Sequence, residues 1–276
     1  MSSEAASESH VDIGERLIFA MGGGGFTMEP ANPVLDDFVL GLAPATEPRI
    51  LFLPTASGDT GGQINAFHAR FAGRSCIPAH LSLFRLGELA RTLEETVLNQ
   101  DIIYVGGGSM RNLLAIWRAH GIDRLLIQAS REGAVLAGLS AGAMCWFEGG
   151  VTRSSGPAEA IAGLGLLDGS LTVHADGEPE RLPVYLAAVR EAALPGGWAL
   201  DDGVGLLFRG RRLDRVISSR PGAGAQRVDA IAGELVRRKL EAELLGGDHG
   251  PLGGLDDAVQ ELRRVHRLRR RFADSG

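Results

Sequence analysis

The chain is short of cysteine, short of aromatic residues and without an excess of positive charge, and each shortage removes a class of function. Two cysteines in 276 residues, Cys76 and Cys145, build neither a disulfide framework nor a cysteine-based metal cluster. No metal and no cofactor are expected. Aromatic residues make up 5% of the chain, too few for the stacking platforms that hold single-stranded nucleic acid. With 28 Lys+Arg against 34 Asp+Glu the net charge is −6, the wrong sign for a polyanion. No apolar run approaches the ~20 residues that cross a bilayer, so neither nucleic acid nor membrane is an expected partner. Residues 1–15 are polar and acidic, with no basic start and no apolar centre, unlike a signal peptide. They are expected to form a disordered tail, and a reducing, cytoplasmic setting is the default for so few cysteines.

Glycine, by contrast, is abundant at 39 residues, and 45% of the chain is hydrophobic, enough for one large core with many tight turns. Apolar strands read at residues 16–21, 49–53, 79–84, 101–105 and 135–139. Helices read at residues 32–42, with Asn32 as cap and Pro33 in the first turn, and at 63–71, 88–98 and 123–131. Another carries Met110, Leu113, Leu114 and Trp117 on one face. Strands alternating with helices over short connections predict an α/β fold with a mostly parallel, doubly wound sheet. Residues 148–165 read as loop, 166–173 as strand and 183–193 as helix. Three short strands follow at 198–202, 204–209 and 215–219. One α/β domain spanning residues 16–240 is expected, then a Gly-rich linker (241–254) and a C-terminal amphipathic helix (255–276). The helix stripe Leu255, Val259, Leu262, Val265, Leu268 and Phe272 would pack on the body or on a second copy of the chain in a homodimer, leaving its arginines in solvent.

The chemistry gathers at Gly138-Leu139-Ser140-Ala141-Gly142. An apolar strand ends here in a serine flanked by glycines, and a helix follows. Such a turn presents the hydroxyl above the sheet and the next backbone N–H at a helix start, where it can hold a developing negative charge. The plainer alternative is a serine that only caps a helix. Gly106-Gly107-Gly108 ends the preceding strand, so a Gly107 or Gly108 N–H could supply a second oxyanion donor. The run Gly22-Gly23-Gly24-Gly25 lacks the spacing of a nucleotide loop and reads as a tight turn. Serine needs a base to take its proton. Of the seven histidines, His174 stands at a strand end beside a polar loop, whereas His68 and His120 lie on helices, His80 opens a strand, and His10, His249 and His266 lie in the terminal segments. Asp202, Asp176 and Glu178 are all in reach as the acid that orients the base.

Several of these stretches together resemble the peptidase E family of serine peptidases, which also includes cyanophycinase. They are Ala20-Met21-Gly22-Gly23-Gly24-Gly25-Phe26, Leu53-Pro54-Thr55-Ala56-Ser57-Gly58-Asp59, Val105-Gly106-Gly107-Gly108, the serine turn, His174-Ala175-Asp176 with Glu180-Arg181, and Leu200-Asp201-Asp202-Gly203. The resemblance spans about residues 16–220. It implies a three-layer sandwich like the class I glutamine amidotransferase domain, with serine in place of cysteine. It implies Ser140 as nucleophile, His174 as base and Asp202 as acid, with an oxyanion hole from Ala141 and Gly107 or Gly108. The substrate would be a short peptide, above all a dipeptide with N-terminal aspartate. Arg181 and Arg153 are the candidates to hold the aspartate side chain, and Ser109 borders the pocket where relatives often carry Asn. Other readings are a cyanophycinase-like hydrolase of β-aspartyl peptides, an esterase, or a catalytically silent small-ligand-binding protein.

Overall fold

The computed structural model describes residues 16–154 and 156–246. In chain order its first elements are β1 (Leu17–Met21), α1 (Gly25–Met28), α2 (Val34–Gly41), β2 (Arg49–Leu53), α3 (Gly61–Phe71), β3 (Ile77–His80), α4 (Leu93–Leu98) and β4 (Ile102–Val105). Next come α5 (Met110–His120), α6 (Ile122–Arg131), β5 (Val135–Leu139), α7 (Ala141–Met144), β6 (Phe147–Thr152), β7 (Glu159–Ala162) and β8 (Leu167–Thr172). The last are α8 (Arg181–Arg190), β9 (Gly197–Leu200), β10 (Val204–Arg209), β11 (Arg212–Ser218), β12 (Ala225–Ile231), β13 (Glu234–Leu240) and β14 (Glu243–Leu244).

β1 is buried along its whole length. Leu17, Phe19 and Met21 enter one core, and Ile18 and Ala20 enter another. A strand apolar on both faces belongs inside a sheet covered on both sides. β2, β4 and β5 divide in the same way. Phe26, Leu35, Phe38, Phe67 and Phe71 from α1 to α3 cover one face. Val97, Leu113, Trp117, Leu126 and Met144 from α4 to α7 cover the other. The sheet has eight strands in the order β14-β11-β10-β1-β5-β4-β2-β3. Its five strands from β1 to β3 are parallel neighbours, while β10 runs antiparallel to β1 and to β11. The result is a three-layer α/β fold. Register sets the functional edge: Met21 pairs with Leu139, Gly138 with Val105, and Val105 with Leu53. The loops after these strands therefore emerge side by side.

A second, six-stranded sheet, β13-β12-β9-β8-β6-β7, was not anticipated. Phe147, Leu167, Leu171, Trp198 and Leu200 on one of its faces join the main core. Tyr185 and Val189 of α8 cover Val151, Ala199 and Val228 on the other. Residues 148–165 thus hold most of β6 and all of β7 rather than a loop. The third strand is earlier than the expected 79–84; Pro78 is tolerated because β3 is an edge strand. The expected helix at 88–98 begins only at Leu93. A capping box fixes that start, with Thr92 Oγ1 accepting from Glu95 N at 3.1 Å and Glu95 Oε2 accepting from Thr92 N at 2.9 Å. Within the expected linker, residues 243–244 form β14; the tail at 1–15 and the helix at 255–276 lie outside the described residues.

Below the glycine turn after β1 sits a buried polar cluster. Asp36 is fully buried. Its Oδ1 accepts from Tyr104 Oη at 3.1 Å, and its Oδ2 lies 2.9 Å from Arg70 Nε. Arg70 also donates to the carbonyls of Glu29 and Pro30, at 3.0 and 2.9 Å. Burial pushes the Asp36 carboxyl up to about 6, with Arg70 and Tyr104 pulling the other way. The unfolded chain has this carboxyl near its ordinary ~3.9, so between these values the folded state holds the extra proton. Stability from this group is therefore lost as pH rises through that window. We expect the stability difference between wild type and Asp36→Asn to change by on the order of 1–3 kcal/mol between pH 4 and 6.5, in favour of the variant at the higher pH. Urea melts at the two pH values check this, and a pH-independent difference would contradict it.

Candidate active site

Ser140 stands between β5 and α7 with φ 54° and ψ −115°, a conformation costly for a residue with a Cβ. Two glycines make the turn feasible. A Cβ on Gly138 would lie 2.1 Å from the Gly142 carbonyl oxygen, and one on Gly142 would lie 2.4 Å from that of Val105. The backbone holds the serine firmly: its N–H donates to Met21 O at 2.9 Å, and its carbonyl accepts from Ala143 and Met144, each at 3.0 Å. The hydroxyl is left for one side-chain partner, His174, whose Nε2 is 2.9 Å from Ser140 Oγ.

His174 follows β8 and is itself at φ 56°. Its Nδ1 is 2.5 Å from Asp202 Oδ1. Asp202 occupies the turn between β9 and β10, and that turn docks on the first glycine run. Gly203 N donates to Gly23 O at 3.1 Å, and a Cβ on Gly23 would fall 2.1 Å from Asp202 Oδ1. The hydrogen bond from His174 holds the Asp202 carboxyl below its ordinary range against the opposing effect of burial; Arg220 and Arg181 add smaller pulls in the same direction. The carboxylate is thus ionised at neutral pH and fixes Nδ1 as the protonated ring nitrogen. Nε2 is then free to accept the serine proton.

The rival acids have other partners. Asp176 Oδ1 accepts from Asp202 N at 2.8 Å. Glu178 takes Arg181 Nε and Nη2 at 3.1 and 3.0 Å. Arg181 is buried, with Nη1 also on Val151 O at 3.2 Å. Arg153 reaches Glu178 at 3.5 Å and Glu180 at 3.3 Å, and its side chain is 40% exposed. Ser109 caps α5, its Oγ accepting from Asn112 N at 3.1 Å. Both arginines therefore already face carboxylates.

The loop after β4 is pinned at its ends, with Gly106 N on Leu53 O at 3.1 Å and Ser109 N on Ala56 O at 2.7 Å. Between them, the N–H groups of Gly107 and Gly108 have no hydrogen-bond partner among the described residues, and neither does that of Ala141. Gly107 is against the serine: a Cβ there would lie 3.3 Å from Ser140 Cβ. Unpaired backbone donors therefore stand in the loop after β4 and in the turn after β5, next to the serine.

Other histidines are engaged elsewhere or lie outside the described residues. His68 Nε2 is 3.0 Å from His80 Nδ1, His120 ends α5, and His10, His249 and His266 are outside. Cys145 is fully buried, its Sγ on Gly142 O at 3.2 Å, and burial pushes the thiol well up. It is a packing residue. Among the described residues no three His, Cys, Asp or Glu side chains converge as a metal site, and no helix is long and apolar enough to cross a membrane. Sequence reasoning gave no site role to two residues that shape this site, Gly23, read only as part of a tight turn, and Gln63. Gln63 Nε2 donates to Gly107 O at 3.3 Å; no local pattern marks a contact made across 44 positions of chain.

Comparison with known proteins gives a consistent result. The uncharacterized peptidase YgaJ of Bacillus subtilis (strain 168) is 46% identical over 231 residues, 84% of this chain and 100% of its own length. The fold is shared with two crystal structures at 17% identity. One, a peptidase from an acI-B1 Actinobacterium, has a TM-score of 0.64 over 83% of this chain and 96% of its own. The other, a candidate peptidase E protein from Listeria monocytogenes EGD-e, has a TM-score of 0.51 over 82% and 99%. The model of peptidase family S51 matches residues 18–216, the stretch that carries most of the main sheet and the serine turn. This chain belongs to peptidase family S51 and is a serine-type peptidase.

Proposed function

We propose that the protein hydrolyses short peptides, dipeptides with N-terminal aspartate foremost, through an acyl-enzyme at Ser140. The observation that carries this reading is the unbroken run of contacts from Ser140 Oγ to His174 Nε2 at 2.9 Å and from His174 Nδ1 to Asp202 Oδ1 at 2.5 Å. Ser140 Oγ attacks the scissile carbonyl carbon as His174 Nε2 takes its proton. The carbonyl oxygen becomes an oxyanion, held by the N–H groups of Ala141 and of Gly107 or Gly108. Collapse breaks the C–N bond, and His174 returns the proton to the leaving amine. Water then attacks the ester with His174 again as base, releasing the acid and restoring the serine. Asp202 stays ionised and stabilises the imidazolium in both halves.

An aspartate side chain calls for a cation, and an arginine fork suits a carboxylate. Arg153 and Arg181 both lie on Glu178. The more exposed of the two, Arg153, can exchange Glu180 for a substrate carboxylate at little cost, whereas Arg181, itself buried, would have to leave a bidentate pair with Glu178. We expect Arg153→Ala to lower the ratio of kcat/KM for Asp-X over Ala-X dipeptides by about tenfold, the worth of one charge-assisted contact. An unchanged ratio would remove Arg153 from substrate selection. The same assay, run on α-aspartyl dipeptides, β-aspartyl dipeptides and an acyl ester, tests the substrate class. Preferred cleavage of the α-aspartyl set supports the proposal, and turnover of only β-aspartyl peptides or only the ester would overturn it.

A further inference from the structure

We propose that Gln63 is a positioning residue that sets the oxyanion hole by fixing the peptide between Gly107 and Gly108; the proposal rests on Ser140 acting as the nucleophile. Gln63 lies in the first turn of α3, and its Nε2 donates to Gly107 O at 3.3 Å. Its Oε1 is buried with no hydrogen-bond partner among the described residues, and a Cβ on Gly106 would lie 2.9 Å from it. The amide is thus enclosed against the loop, and the reverse orientation would set two oxygens face to face. Loop residues 106 and 109 are tied by their own N–H groups, but among the described residues the peptide between 107 and 108 has no backbone tie. Glycine stands on both sides of it, with Gly108 at φ 143°, so the chain's own conformational preference does little to stop that peptide from turning over. In a trans peptide the N–H points opposite to the C=O. Holding Gly107 O on Gln63 therefore turns the Gly108 N–H to the side away from α3. A Cβ on Gly107 would lie 3.3 Å from Ser140 Cβ, so this peptide stands beside the nucleophile, and on the proposal its Gly108 N–H joins Ala141 N–H in receiving the oxyanion.

The test uses Gln63→Met and Gln63→Glu, both close to glutamine in length and both lacking the N–H donor, with Ser140→Ala as reference. A group acting only on the transition state changes kcat and leaves substrate binding alone. The expected result is a fall in kcat of about 10- to 100-fold, within the range for loss of an oxyanion donor, with KM within about twofold of wild type. Affinity for a peptide aldehyde, whose serine adduct carries the oxyanion, should weaken by the same factor as kcat/KM. Wild-type kcat in either folded variant would overturn the proposal, as would a rise in KM at constant kcat. Failure of both variants to fold would make Gln63 a structural residue and overturn it as well. Full activity in Ser140→Ala would instead defeat the underlying reading, so the two failures are distinguishable.

Discussion

Ser140→Ala is expected to lose peptide hydrolysis by about 10⁵- to 10⁶-fold in kcat, the scale set by removing the nucleophile from a serine relay, and to keep its fold. The loss should be large because in the proposed mechanism the hydroxyl forms the covalent bond, and among the described residues the only side chains hydrogen-bonded to His174 are Ser140 and Asp202. The residual rate comes from binding and the oxyanion donors, which remain. The fold survives because the contacts that hold the turn belong to the backbone. The N–H of Ser140 on Met21 O and its carbonyl under Ala143 and Met144 do not involve Oγ, and alanine has the same Cβ at the same positive φ. Steady-state rates together with a thermal melt check both halves. Undiminished turnover in the folded variant would end the mechanism.

Asp202→Asn comes second, with an expected loss of about 10³- to 10⁴-fold in kcat and little change in KM. Asparagine fills the same space but can offer its NH₂ to Nδ1, and this favours the ring tautomer whose proton sits on Nε2, facing Ser140. The base is then unable to accept. The neutral amide also removes the charge that stabilises the imidazolium. Asp176→Asn should cost far less, because its task is to hold Asp202 N at 2.8 Å, which an amide oxygen can do equally well. Glu178→Gln should act on substrate choice through Arg181 and Arg153. Rates of the three variants on one dipeptide decide the assignment. A large loss in Asp176→Asn with a small one in Asp202→Asn would reverse it.

The parts of this fold that could be read from the chain are those whose physics is local. Strands β1, β2 and β4 are short apolar runs closed by glycine or proline, β5 is one closed by the serine turn, and the amphipathic spacing of Met110, Leu113, Leu114 and Trp117 specifies α5 with no help from elsewhere. The serine turn was legible for the same reason, since its strain demands glycine at 138 and 142. What escaped depends on partners far along the chain. β6 and β7 are glycine- and alanine-rich, and they become strands only because β8 and the main core lie beside them. In β13, Glu234-Leu235-Val236-Arg237-Arg238-Lys239-Leu240 has too little apolar alternation to announce a strand; pairing with β12 through a turn at Gly233 defines it. Spacing alone left the acid open among Asp176, Glu178 and Asp202, because all three sit in polar turns; the resemblance pointed to Asp202, and the docking of residues 201–203 on Gly23 sets that carboxylate against His174. The first glycine run likewise gains its meaning in space, as the surface that leaves room for the Asp202 carboxylate.

The most direct test of the central claim is to treat the protein with a fluorophosphonate, digest it and locate the adduct by mass spectrometry. The account predicts one phosphonyl group on Ser140, formed rapidly in wild type and at a strongly reduced rate in His174→Ala. A wild-type protein left unmodified, or modified at another serine while Ser140 remains free, would contradict it.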